Sequence, residues 1–159
     1  MELTATYEFS APVAKAWALL MDTDAIARCL PGCRSLKPLG DDRYEVELKV
    51  VIAAIAGDFK GTVALQERNE LASYKLAVEG SGRQGFVKGH ALVRLEPEGD
   101  VTHVHVAAQA DVGGKIARVG QRMLEGVTRS TMKRFYKCLA KQLTRPGATF
   151  EEGEEEDAC

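Results

Sequence analysis

The chain opens with an alternating stretch in which Leu3, Ala5, Tyr7 and Phe9 are apolar and Glu2, Thr4 and Glu8 are polar, the period of a half-buried strand. Past Ser10-Ala11-Pro12 the period changes, and Val13, Trp17 and Leu20 recur at helical spacing. Ser10 is placed to cap this helix, Pro12 suits its first turn, and the helix is expected to end near Met21. Thr23 is the expected cap of a second, short helix through Asp24 to Cys29, which Pro31-Gly32 stops.

From Arg34 onward long alternating runs are broken by turn residues at Gly40-Asp41-Asp42, Arg68-Asn69-Glu70, Gly80-Ser81-Gly82 and Glu98-Gly99-Asp100. Short turns between long strands predict an antiparallel meander of about six strands. Parity assigns the faces. Tyr44, Val46, Leu48, Val50 and Ile52 share one side, and Phe59, Val63, Leu65, Val87, Gly89, Ala91, Val93, Leu95, Val104, Val106, Ala108, Ala110 and Val112 continue it. After Gly113-Gly114 the period is helical again, with Ile116, Val119, Met123, Leu124, Val127, Phe135 and Leu139 forming an apolar stripe. One helix is expected from Ile116 to Leu143, and Pro146-Gly147 ends it.

This order of elements predicts an α+β fold: a curved antiparallel sheet of six to seven strands gripping one long helix, with two short helices after the first strand. Such a helix is about 42 Å long and about 10 Å wide, too narrow to cover six strands spaced roughly 4.8 Å apart. The sheet must curl around it or leave space. Aromatic residues make up only 6% of the chain, and Gly89, Ala91, Ala108 and Ala110 face inward, so the concavity lacks the bulk to fill itself to native density. An apolar cavity between helix and sheet, suited to a lipophilic ligand, is the expected outcome. The plainer alternative is a solid core in which the small residues let the helix approach closely.

At 159 residues the chain fits one domain. That domain is expected to span residues 1–145, with residues 146–159 an acidic tail whose Glu151-Glu152-Gly153-Glu154-Glu155-Glu156-Asp157 run predicts disorder. A net charge of −2 supplies no global attraction to nucleic acid or anionic lipid. No apolar run approaches the roughly 18 residues of a membrane span, and no leader segment precedes the first strand. A reduced, cytoplasmic protein is the default for Cys29, Cys33, Cys138 and Cys159 in such a chain.

Catalytic and metal chemistry find little support. Cys29 and Cys33 are three residues apart without a completing set, so zinc is not expected, although the two could pair if oxidised. Cys138 reads as a small core or boundary residue. His103 and His105 share the outer side of their strand, and His90 falls outside too; a register shifted by one would bring His90 into the concavity. No nucleophile elbow, phosphate loop or triad spacing is present. Basic residues on the last helix, Lys115, Arg118, Arg122, Arg129, Lys133, Arg134 and Lys137, read as a solvated face or as a docking surface for anionic headgroups or an acidic partner. The acidic tail could compete for that surface.

Four segments carry a family resemblance: Cys29-Leu30-Pro31-Gly32-Cys33, Gly57-Asp58-Phe59-Lys60-Gly61, Gly85-Phe86-Val87-Lys88-Gly89-His90-Ala91, and Val112-Gly113-Gly114-Lys115-Ile116-Ala117-Arg118-Val119-Gly120-Gln121-Arg122. In this order they resemble the carbon monoxide dehydrogenase CoxG family of the START-like, SRPBCC helix-grip superfamily, over about residues 1 to 143. The resemblance implies a non-catalytic accessory to a molybdenum-containing dehydrogenase, with peripheral contact at the inner face of the membrane and a hydrophobic cavity that carries a quinone or another lipid as cargo, with no cofactor. The residues expected to line it are Trp17, Leu30, Phe59, Phe86, Val106, Met123, Val127 and Phe135. Two other classes stand beside this reading: an assembly or membrane-docking adaptor without a ligand, and a small hydrolase or cyclase on the same fold.

Overall fold

The computed structural model describes residues 1–144; the predicted acidic tail lies outside the described residues. The first strand, β1 (Glu2–Phe9), is followed by two short helices, α1 (Val13–Leu20) and α2 (Thr23–Cys29). Six strands follow: β2 (Cys33–Gly40), β3 (Arg43–Ile52), β4 (Ile55–Asn69), β5 (Ser73–Gly82), β6 (Gly85–Glu98) and β7 (Val101–Gly113). A short 3-10 helix (Lys115–Val119) leads into the long α3 (Gln121–Thr144). All seven strands form one antiparallel sheet in the order β1-β7-β6-β5-β4-β3-β2.

Several local expectations need correction. Pro12 is itself the cap residue of α1, through its carbonyl, which accepts from the Lys15 and Ala16 N–H groups at 3.0 and 3.1 Å. Ser10 plays no part in it. Asp22, not Thr23, caps α2: its carboxylate accepts from the backbone N–H of Asp24 and Ala25 at 3.1 and 3.2 Å, the geometry an N-cap side chain needs. The expected single final helix is broken at Gly120, whose φ of 96° lies in the left-handed region that ends helices.

The turns also move. β3 and β4 are joined at Ala53-Ala54 with Ile52 paired to Ile55, a hairpin that no turn residue announces. Gly82 pairs with Gly85, so the β5–β6 turn falls on Arg83 and Gln84 rather than on the preceding glycine pair. The β4–β5 turn sits at residues 70–72.

The predicted inner face holds throughout. Strand pairing puts Val63, Val78, Gly89 and Ala110 in one row across the sheet, and Leu65, Leu76, Ala91, Ala108 and Leu3 in the next. His90, His103 and His105 all fall on the opposite, outer face, as the parity predicts.

Two apolar clusters form on the inner face. The larger joins Phe9, α1, α2, Tyr74, Val93, Leu95, Val104 and Val106 to Tyr136, Cys138 and Leu139 of α3. The smaller joins Ile52 and Phe59 to Ile116, with Val50, Val112, Leu124 and Val127 against them. α3 therefore bridges the two ends of the sheet.

Candidate ligand-binding site

Between the two clusters lies a band of inner-facing residues that belongs to neither: Gly61, Val63, Val78, Gly80, Val87, Gly89, Ala91, Ala108 and Ala110. Every one of them is only half-buried, although each faces the helix side of the sheet. Close packing fills interiors, so inner positions that keep solvent access border open space. The small side chains explain it, since five glycine and alanine positions on β5, β6 and β7 present almost no volume to α3.

The predicted lining residues divide over this geometry. Trp17 (7% exposed), Val106 and Phe135 belong to the larger cluster on one side of the band. Phe59 and Val127 belong to the smaller cluster on the other. Leu30, Phe86 and Met123 join neither. Leu30 is the half-buried residue that closes α2. Phe86 is 50% exposed on the outer side with its ring over Gly113, and Met123 is 45% exposed near the start of α3.

Three tyrosines were missed by sequence reasoning. Tyr7 stacks on Tyr136 with centroids 4.3 Å apart, and Tyr74 meets Trp17 edge-on at 5.8 Å. Burial pushes the Tyr74 and Tyr136 phenols above their ordinary range. Burial also raises Tyr7, opposed by the nearby Arg129. Tyrosine in an alternating pattern reads as one more apolar face residue, so only the inward parity of Tyr7 and Tyr74 could have pointed to them.

A disulfide joins Cys29 to Cys138, Cα to Cα 5.5 Å, which corrects both the expectation of reduced thiols and the possible Cys29–Cys33 pairing. α2 packs on the C-terminal half of α3, where Arg28 also donates to the Gln142 side-chain oxygen at 3.3 Å. Cys33 is a buried free thiol at the start of β2.

Elsewhere the surface offers shallow features. The outer face carries two adjoining depressions of about 460 and 620 Å³ around Thr4, Leu92, Ala107 and His105. His103 and His105 contact Glu98 and Glu96, each at 2.8 Å; the Glu98 hydrogen bond raises His103, and the His105 hydrogen bond lowers Glu96. An open groove of about 720 Å³ runs along α3 between Val51 and Arg134. Among the described residues no group of three His, Cys, Asp or Glu is placed to hold a metal ion. No described helix is long and apolar enough to cross a membrane.

The family model for the carbon monoxide dehydrogenase CoxG subunit matches residues 6–144, every described element except the first residues of β1. The chain belongs to the CoxG family. Among solved structures, this CoxG-family chain is similar to a conserved protein from Geobacillus kaustophilus, with 32% identity, TM-score 0.87 and coverage of 91% of this chain and 95% of that one. A START superfamily protein from Mycobacterium smegmatis matches at 17% identity, TM-score 0.66, covering 89% and 98%. The Zhui aromatase/cyclase from Streptomyces sp. R1128 matches at 15% identity, TM-score 0.65, covering 94% and 99%. The last two show the fold alone, and they show that a START-like sheet and helix serve enzymes as well as other proteins. No curated protein matches the chain.

Proposed function

We propose that this CoxG-family protein carries a lipophilic small molecule, a quinone or a lipid, in the space between α3 and the sheet, as an accessory to a dehydrogenase of the carbon monoxide dehydrogenase type. The observation that carries the reading is the half-buried inner band between two separate apolar clusters. A ligand lying along it would meet Trp17, Val106 and Phe135 at one end and Phe59 and Val127 at the other. At about 25 cal/mol per Å², burying some 400 Å² of ligand would contribute roughly 10 kcal/mol before entropy costs, enough for firm retention. The family description, which names a dehydrogenase component, supports the accessory role and the partner class.

The test is to purify the protein without detergent, extract it with organic solvent and identify small molecules by mass spectrometry, alongside Ala91→Phe, which adds bulk to the band. A stoichiometric quinone or lipid that the variant loses supports the carrier reading. An empty protein that also ignores added quinone sinks it and leaves an adaptor for the dehydrogenase.

A further inference from the structure

Resting on the reading of the inner band as ligand space, the larger cluster says what chemistry the ligand's buried end must have. Tyr74 and Tyr136 are 4% and 6% exposed, and among the described residues neither hydroxyl makes a hydrogen bond. Trp17, 7% exposed, has an indole N–H with no acceptor among them either. Buried hydroxyl and indole donors are normally paired, because leaving one unpaired costs about 1–3 kcal/mol. Three unpaired donors in one apolar cluster therefore call for an explanation.

Their placement supplies one. Tyr74 is the inner-facing residue of β5 that precedes Leu76 and Val78, so it stands at the edge of the band. Tyr136 sits on α3, and side chains on a helix lean toward its N-terminus, here from the larger cluster toward the band. Trp17 holds Tyr74 by edge-on contact, and Tyr7 fixes the Tyr136 ring plane at 10°. Rigid rings present their polar tips at little entropic cost. Both phenols stay protonated because burial raises them, so they act as donors.

We infer that Tyr74 and Tyr136, with the Trp17 indole N–H beside them, form the polar end of the ligand space and donate hydrogen bonds to an uncharged acceptor oxygen, of the carbonyl kind, on a lipophilic ligand. A carboxylate or phosphate is the wrong chemistry here. Arg129, whose charge reaches Tyr7, donates to the Thr4 carbonyl oxygen in an exposed position, so an anion buried between Tyr74 and Tyr136 would lack a paired cation, which is strongly disfavoured.

The experiment compares two probes of one ring skeleton, menadione with two carbonyls and 2-methylnaphthalene with none, by equilibrium dialysis against the full chain, Tyr74→Phe and Tyr136→Phe. The expected result is that the full chain prefers menadione, that each substitution weakens menadione about 3- to 10-fold, the worth of one neutral hydrogen bond, and that neither changes 2-methylnaphthalene. Thermal midpoints of the ligand-free variants are expected to equal or exceed the parent's, since each removes an unpaired hydroxyl. If both probes bind equally and the substitutions change nothing, the hydroxyl assignment is overturned while the carrier reading survives. If neither probe binds, the carrier reading fails and takes the assignment with it. A clear drop in ligand-free midpoint for both variants would show that the hydroxyls have structural partners, which also overturns the assignment.

Discussion

Tyr7 of β1 and Tyr136 of α3 lie ring on ring, 4.3 Å between centroids and 10° between planes. Phe9 and Phe135 flank the pair at 6.1 and 5.1 Å from Tyr136. This contact clamps the sheet's edge strand to the helix it grips. Tyr136→Ala is expected to cost about 3–5 kcal/mol, as for a large aromatic lost from a core. Urea denaturation of Tyr7→Ala, Tyr136→Ala and the double variant is expected to give a coupling of about 0.5–1.5 kcal/mol beyond area burial. A coupling near zero would mean that the stack contributes only bulk.

Alkaline pH should unfold the protein earlier than its surface charge would suggest. Tyr74 and Tyr136 ionise in the folded state only above the ordinary phenol value of 10.0, because burial disfavours the phenolate. Above pH 10 the unfolded chain releases these protons while the folded chain keeps them. Stability is therefore fully present below pH 10 and lost as pH rises beyond it. Denaturation midpoints measured between about pH 8 and 11.5 are expected to stay level to about pH 9.5 and then fall. Tyr136→Phe should reduce the slope, and an unchanged slope would count against the buried phenol as its source.

The Cys29–Cys138 bond closes a loop across a sequence separation of 109. Cross-links over loops of this length restrict the unfolded chain and are worth about 2–4 kcal/mol. Replacing both cysteines with alanine is expected to lower the thermal midpoint by roughly 10 °C. Dithiothreitol should produce the same shift in the parent and none in the variant. Mass spectrometry of the alkylated, unreduced protein should find Cys33 without an alkyl group unless it is first unfolded, since that thiol is buried.

Two glycines should respond in opposite directions to alanine. A Cβ at Gly61 would collide with the Glu79 carbonyl oxygen and sit 2.6 Å from the Gly80 Cα, backbone that cannot step aside. Gly61→Ala is expected to destabilise by at least about 1–3 kcal/mol. At Gly126, inside α3, a Cβ would meet nothing within 4 Å, so Gly126→Ala should stabilise by about 0.5–1 kcal/mol through helix propensity. Chemical denaturation of both variants checks the pair.

Local periodicity revealed the elements because each inner face is apolar every second residue from Tyr44 to Val112, and that signal survives whatever the partner strand. It failed where no residue type marks the event. Ala53 takes a φ of 55° in the β3–β4 turn, a position that sequence reasoning reserves for glycine or asparagine. Asp22 and Thr23 are both good caps, and only the helix start tells which one works. Gly120 was visible, yet a lone glycine is tolerated inside helical patterns. The site was half legible. Parity located the small residues of the band, but not that the apolar residues around it would separate into two clusters, which depends on where α3 crosses the sheet. The Cys29–Cys138 pairing depends on the same packing and leaves no local trace.

The sheet order sets a schedule for the growing chain. From β3 to β7 every strand pairs with the one before it, so each can dock as it emerges, but β1 pairs with β7 alone, Glu2 opposite Gln109 and Phe9 opposite Thr102. Phe9, Trp17 and Leu20, all buried in the finished molecule, are made at the start and covered by residues translated about a hundred codons later. At roughly 5–20 residues per second that delay is about 5–20 s. During it the growing chain carries an apolar N-terminal strand whose partner in the finished sheet has not yet been synthesised.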